Sequence, residues 1–335
     1  MSTSLVLSEI DLEADGKRSG YLRVPHSTHR SAYGWLPIPI TVIRNAKGPT
    51  VLMLAGVHGD EYEGQIALAR LAQELEPMDV QGRLIIMCAT NAPAAKAGLR
   101  VSPIDQGNLN RTFPGDAAGS PTQMIAHYIE EVVLPDCDYL IDLHSGGTSL
   151  FYPPTLLRGL GHTPQDAKTL RDLQDAFDLP YAWVFTSGGG PNSTARTAMG
   201  AANRKGVVPI MAELGGGGAV SKDILEMTER GLRRVLSRLD MLPGYKPDKP
   251  RGTRAMHAEG SVYAHTAGVF EPFKAIGDPV TSGEEVGLVH AIEAVGQSPT
   301  PVTSPFTGFV LCKRALGQVV CGDAVFQIAR DADQT

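Results

Sequence analysis

The sequence predicts an α/β protein, a sheet with helices on both faces, followed by a small all-β segment. Near-continuous apolar runs at 50–56, 82–90, 137–145 and 206–216 alternate with amphipathic helical patterns. Such runs suit strands buried on both faces of a helix-covered sheet. At 242–254, LPGYKPDKPRGTR holds three prolines and several charges and reads as a linker. Beyond it no strong helical period remains. A chain of 335 residues is also long for one core, which suggests two domains.

In chain order, residues 1–35 read as an irregular, β-rich lead-in, and ITVIRN (40–45) as a strand. TVLMLAG (50–56) is the first buried strand. EGQIALARLAQELEP (63–77) has apolar residues at helical spacing, with Pro77 just past its end. GRLIIMCAT (82–90) is a second buried strand. PTQMIAHYIEEVVLP (121–135) reads as one amphipathic helix, and CDYLIDLHS (137–145) and GVVPIMAELGG (206–216) as further buried strands. DILEMTERGLRRVLSRLDM (223–241) is a long helix whose basic second half suits its dipole. In 255–330, short β-like pieces are spaced by Gly, Pro and Asp, the pattern of a small all-β domain. The expected division is a catalytic α/β domain over 1–245 with a β lead-in, and an all-β domain over 255–330.

Composition narrows the function. Net charge is −6, without the basic excess of a nucleic-acid binder. Cys88, Cys137, Cys312 and Cys321 are scattered with no CxxC pair, which argues against a disulfide framework or a Cys-rich zinc site. The N-terminus lacks the basic and apolar regions of a signal peptide, and no apolar run reaches membrane-helix length. The default expectation is a cytoplasmic enzyme or binding protein.

Chemistry-bearing residues fall at strand ends. In GVHGDEYEG (56–64), His58 and Glu61 follow a buried strand, at the sheet edge where α/β proteins bind ligands. In DLHSGG (142–147), His144 would complete a His-Glu-His set. Three such ligands leave an open position for water, the usual arrangement of catalytic zinc. Asp142 shares a strand face with His144 and could orient its imidazole. In AELGGGG (212–218), Glu213 could take a proton from an activated water and pass it to a leaving amine. In GNLNRTFPG (107–115), the Arg111 fork matches a substrate carboxylate and Asn110 adds a donor, while Arg100 could stabilise an oxyanion. Each alone has a plainer reading: a loop histidine, a surface turn, a capping carboxylate. The glycines at 215–218 could cradle a phosphate, but they lack the Lys-Ser/Thr of a P-loop and do not fit GxGxxG. The coincidence of four such residues at ends of one predicted sheet favours a catalytic centre.

GxHGDExxG, NLNRxFPG, DLHSGG and ELGG, in this order, resemble the succinylglutamate desuccinylase/aspartoacylase family of zinc enzymes, over roughly residues 35–330. The resemblance implies a carboxypeptidase A-like mixed sheet and one zinc held by His58, Glu61 and His144. It implies Glu213 as general base and acid, Asn110 and Arg111 as a carboxylate clamp, and Arg100 as the carbonyl-polarising arginine. A further arginine before the catalytic Glu would be Arg196 or Arg204. The C-terminal segment is similar to half a lipoyl or biotinyl barrel. Its hairpin stretch HAIEAVGQSPTPVTSP (290–305) has no lysine to carry a swinging arm. A cap over the cleft is therefore expected there, with Tyr263 a candidate pocket tyrosine.

Within the family the look is closest to bacterial deacetylases of ectoine breakdown, which act on N-alpha-acetyl-L-2,4-diaminobutyrate. The expected reaction is hydrolysis of the amide of a small N-acyl amino acid. A zinc carboxypeptidase on short peptides and a non-catalytic zinc-held binding module are the alternatives. Neither a nucleic-acid nor a membrane partner is expected. A homodimer is, because homodimers are common.

Overall fold

A computed structural model describes residues 4–185 and 193–332. The N-terminal strands β1 (Leu7–Ser8), β2 (Gly16–Pro25) and β3 (Trp35–Asn45) lead into β4 (Thr50–Ala55). Helix α1 (Tyr62–Glu74), β5 (Gly82–Met87), the short α2 (Ala92–Ala97) and α3 (Pro121–Tyr128) follow. Then come β6 (Tyr139–His144), β7 (Leu150–Arg158), α4 (Pro164–Phe177), β8 (Tyr181–Val184) and α5 (Ala198–Arg204). Strand β9 (Val208–Gly216) and α6 (Lys222–Arg238) precede the C-terminal strands β10 (Arg254–Tyr263), β11 (Gly268–Pro272), β12 (Pro279–Val280) and β13 (Glu285–His290). The last four are β14 (Thr300–Thr303), β15 (Gly308–Arg314), β16 (Gln318–Val319) and β17 (Ala324–Asp331).

The four apolar runs form the parallel centre of a mixed sheet, in the order β5-β4-β6-β9. Successive residues of a strand face opposite sides, so these runs feed two cores. Val51, Met53 and Ala55 pack with Leu68 and Leu71 of α1, Phe177 of α4 and Val235 of α6. Leu52 and Leu54 pack with Ile125 of α3 and Ala201 of α5. Helices thus cover both faces, as the alternating pattern predicts.

Three local differences have physical causes. The lead-in is more regular than its sequence suggests: β2 and β3 pair antiparallel from Gly16↔Arg44 to Pro25↔Trp35. The prolines of β3 are tolerated because β5 pairs only its second half, from Thr41 onward. Pro37 and Pro39 therefore sit where one edge needs no donor. The helix expected over 121–135 is α-helical only to Tyr128. It widens into a π-turn at Ile129–Val133 and tightens to a 3₁₀ turn at Leu134–Asp136, where Pro135 has no N–H to continue the ladder. Residues 146–205, for which the sequence reading names no element, contribute β7, α4, β8 and α5, although α4 buries Leu170, Leu173 and Phe177 at helical spacing behind a Thr163–Asp166 capping box.

The C-terminal strands have their own apolar core, including Val262, Phe270, Val286, Val302, Val310 and Phe326. They are also hydrogen-bonded into the main sheet. Strand β10 pairs parallel with β8 at Arg254↔Tyr181, and β15 meets β7 at Lys313↔Phe151. The main sheet therefore runs through thirteen strands, and a four-stranded sheet, β14-β13-β11-β16, lies beside its C-terminal end. This continuity carries β10 and β17 to the cavity described next. No helix among the described residues is long and apolar enough to cross a membrane.

Candidate active site

The turn after β4 brings His58 and Glu61 to the sheet edge. It is tight because Gly59 lies against α2: a Cβ there would stand 2.0 Å from the Ala94 carbonyl carbon. His144 closes β6, and Glu213 is its register partner on β9. After Glu213, Gly216 has φ +136°, and a Cβ there would meet the Leu150 carbonyl oxygen at 2.1 Å. Only glycine lets β9 end so close to β7.

His58, Glu61 and His144 are all buried, and ligand atoms from the three lie within 4.8 Å of one another. His58 Nδ1 lies 2.8 Å from Glu61 Oε1, and His144 Nδ1 lies 2.8 Å from Glu61 Oε2. The other ring nitrogens face acceptors. His58 Nε2 is 3.0 Å from Asn108 Oδ1, and His144 Nε2 is 2.9 Å from Asp142 Oδ2. If each Nε2 carries the hydrogen it donates there, each Nδ1 turns a lone pair toward the Glu61 carboxylate. Lone pairs directed at a carboxylate in a buried pocket call for a shared cation. Two imidazole nitrogens and one carboxylate suit zinc, with the outward nitrogens tied to fix the tautomers. The titration directions differ between the two rings: His58 favours the neutral form, whereas His144 favours the protonated one, so a cation at His144 Nδ1 would displace a proton. Burial pushes His58 down. Burial also opposes charge on His144, but the Asp142 and Glu61 carboxylates outweigh it and raise that ring well above its usual range. The same imidazoles overcome burial to hold Glu61 low.

Glu213 lines the same cavity, and its Oε2 is enclosed without a hydrogen-bond partner among the described residues. Burial, then the charge of Glu61, push its carboxyl up to about 8. Arg100 Nη1 donates to Glu61 Oε1 at 3.2 Å, with nearly half of its side chain exposed to the cavity and solvent. Arg111 is partly buried, and its Nη1 donates to the Asn110 carbonyl at 2.7 Å. Desolvation lowers its pKa, helped by the charges of Arg100 and Arg196. Arg100 is thus paired with Glu61, while Arg111 lines the cavity with no salt-bridge partner among the described residues and is left for an anionic ligand. Of the two arginines preceding Glu213, Arg196 is exposed and near enough for its charge to act on Arg111. Arg204 is spent on the buried Glu130 at 2.8 Å.

Asn110 Oδ1 accepts the Ala198 N–H at 3.0 Å; its Nδ2 lies 3.3 Å from His144 Nε2, a contact between two donors when that nitrogen gives its hydrogen to Asp142. Asn110 fixes the start of α5 beside the histidine while still lining the cavity. Sequence reasoning gave no role to Asn108, although it belongs to the same NLNR motif; its spacing from His58 carried no signal. Asp60 was also passed over. Its Oδ2 accepts from the Thr148 N–H at 2.7 Å and hydroxyl at 2.9 Å, pinning the loop that follows His144.

The cavity has a volume of about 1000 Å³. Besides the strand-end residues it is lined by Tyr152 and Trp183, and by β10 and β17 through His257, Glu259, Tyr263 and Arg330. Tyr263 is 43% exposed, so it stands at the rim.

Comparison with known proteins places these features. Residues 47–239 match the profile of the succinylglutamate desuccinylase/aspartoacylase catalytic domain. The chain is 38% identical over 332 residues to the N-alpha-acetyl-L-2,4-diaminobutyric acid deacetylase of Halomonas elongata, covering 97% of this chain and 95% of that one. The product-bound structure of the ectoine utilization protein EutE (DoeB) from Ruegeria pomeroyi is 34% identical, with a TM-score of 0.92 over 98% of this chain and 100% of that one. A succinylglutamate desuccinylase/aspartoacylase from Rhodobacter sphaeroides is 36% identical, with a TM-score of 0.91 over the same shares.

Proposed function

The chain belongs to the succinylglutamate desuccinylase/aspartoacylase family of amide hydrolases, and from that membership we propose that it converts N-alpha-acetyl-L-2,4-diaminobutyrate and water to L-2,4-diaminobutyrate and acetate. The observation that carries the substrate is the near full-length similarity to the Halomonas deacetylase. The convergent His58, Glu61 and His144 nitrogens and oxygens support one zinc per chain. On this reading the α/β layer over 1–245 is carboxypeptidase A-like, and 255–330 caps the cleft.

Zinc supplies Lewis-acid polarisation of water and of the acyl carbonyl when bound. Arg111, with Asn110 behind it and Arg196 nearby, holds the α-carboxylate of the substrate and sets the amide in register. Glu213 Oε2 receives a proton from the water whose oxygen bonds to the carbonyl carbon. The raised affinity of this carboxyl for a proton suits that task. Arg100 donates to the oxygen on which charge develops. Glu213 then delivers the proton to the amide nitrogen, the carbon–nitrogen bond breaks, and acetate and the free amine leave. Asn108 and Asp142 keep the imidazoles oriented throughout.

The test is amine release from N-alpha-acetyl-L-2,4-diaminobutyrate, N-acetylaspartate, N-succinylglutamate and a short peptide, by zinc-loaded and chelator-stripped protein. The expected result is metal-dependent release from the first compound with little from the others. Release from another acyl amino acid would keep the chemistry and discard the substrate. Peptide cleavage alone would move the protein to the carboxypeptidases.

A further inference from the structure

The arginines beside the strand ends suit the α-carboxylate but repel a second positive charge. A diamino acid carries one on its side chain. Resting on the reading above, we propose that β10 holds the subsite for the distal ammonium of the substrate, with Glu259 as its charge partner and His257 as a second acceptor, so that this strand selects N-acyl diamino acids over neutral and acidic ones.

His257, Glu259, Ser261 and Tyr263 of β10 all line the cavity, with Glu259 at a bulge where the register against β17 shifts between Ala258 and Gly260. Among the described residues, Glu259 is the cavity-lining carboxylate that stands apart from Glu61 and Glu213. Arg330 of the neighbouring strand β17 grips its Oε1 through Nε. That grip fixes the direction of the carboxylate and leaves Oε2 for a ligand. It also occupies Arg330, which is then less able to serve a distal carboxylate. His257 Nδ1 lies 2.8 Å from the Val184 carbonyl oxygen, which can only accept. The ring hydrogen of neutral His257 therefore sits on Nδ1, and Nε2 is left as an acceptor. Nε2 makes no hydrogen bond among the described residues. A carboxylate and an imidazole acceptor on one cavity wall match the donors of an ammonium group, while Arg111, with Arg100 near it, matches the carboxylate of the same zwitterionic substrate.

The test compares Glu259→Gln, which keeps shape and removes charge, with wild type. The substrates are N-alpha-acetyl-L-2,4-diaminobutyrate and N-acetyl-L-2-aminobutyrate, which differ by the distal amine. The variant is expected to lose about tenfold or more in kcat/KM on the first, the scale of one charge-assisted hydrogen bond. Its kcat/KM on the second should change by less than about twofold, because that substrate makes no contact there. Equal changes on both substrates, or none on either, would overturn the subsite. So would a selective loss on N-acetylaspartate, which would make Arg330 the binding group. Calorimetric binding of L-2,4-diaminobutyrate and L-2-aminobutyrate separates this idea from the catalytic reading. A wild-type preference for the diamine that Glu259→Gln abolishes supports the subsite even if no acetyl group is cleaved. Equal binding of the two by wild type removes it even if deacetylation is established.

Discussion

The strand-end cluster and the β10–β17 wall border one cavity but are built differently. In the cluster, His58, Glu61, Asp142 and His144 are buried, and both nitrogens of each imidazole have a partner. On the wall, Glu259 is exposed and shares a single pair with Arg330, and His257 uses one nitrogen. Buried polar groups tolerate little loss of a partner, because an orphaned charge costs several kcal/mol, roughly 3–5 for a broken buried pair. Exposed ones can be exchanged at small cost to the fold. The contrast suits a division of labour in which the cluster fixes the reaction and the wall chooses what enters.

The comparison breaks most sharply at Glu213. Glu213→Gln should bind zinc as wild type does while kcat falls by roughly 10²- to 10⁴-fold, the usual contribution of a positioned acid-base group. Metal content by elemental analysis and single-turnover rates check this. Turnover near wild type would take Glu213 out of proton transfer. The same variant has a pH signature in chelator-stripped protein. Glu213 is held up to about 8 from an ordinary 4.5 by burial and by Glu61. An acid whose folded pKa is raised contributes stability below the unfolded pKa and loses it as pH rises through the folded one. Relative to Glu213→Gln, metal-free wild type should therefore lose stability between about pH 4.5 and 8 and stay level above, as read by urea unfolding.

Next in size is Asp142→Asn. It should keep the fold and weaken zinc by about 10- to 100-fold, the range for losing an outer partner of a ligating imidazole. Competition with a chelator measures it. A change in kcat with unchanged zinc affinity would mean that Asp142 acts on the substrate side. Arg111→Lys follows, with KM raised about tenfold and kcat less affected, since a point charge cannot reproduce a two-pronged contact. An unchanged KM would leave the α-carboxylate to Arg196 and Arg100.

The two regions also differed in how legible they were. The cluster announces itself because its residues close apolar runs that can hardly be anything but buried strands, as TVLMLAG and CDYLIDLHS show. A His or Glu at one such strand end has a plainer reading as a loop residue, but four of them at the ends of one predicted sheet mark a site. The wall gave no such cue. Strand β10 alternates weakly, RAMHAEGSVY; its start pairs with β8 73 residues earlier, as Arg254↔Tyr181 shows, and its site residues pair with β17. Nothing local records those contacts. Asn108 was hidden for the same reason: its partner His58 lies 50 residues earlier. The choice between Arg196 and Arg204 likewise depended on Glu130, whose bond to Arg204 spans 74 residues.

The smallest effect tests how the NLNR loop is held at the border of the cluster. Asp105 Oδ2 accepts the Thr122 N–H at 2.8 Å and the Ser120 hydroxyl at 2.7 Å, and Oδ1 accepts from Gly107. The carboxylate thus caps α3 from a distance while tying down the approach to Asn108. Partial burial alone would raise its pKa, but these donors outweigh it and hold Asp105 below the usual range. Its stabilising contribution is therefore present above the unfolded pKa and fades as pH falls through the lower folded value. Asp105→Ala should cost about 1 kcal/mol at neutral pH, the scale of one lost helix cap. The gap from wild type should narrow in acid as the wild type loses the anion. If instead Asp105→Ala leaves both stability and zinc affinity unchanged, the loop is held mainly by His58 through Asn108, and the cluster supports its surroundings rather than resting on them.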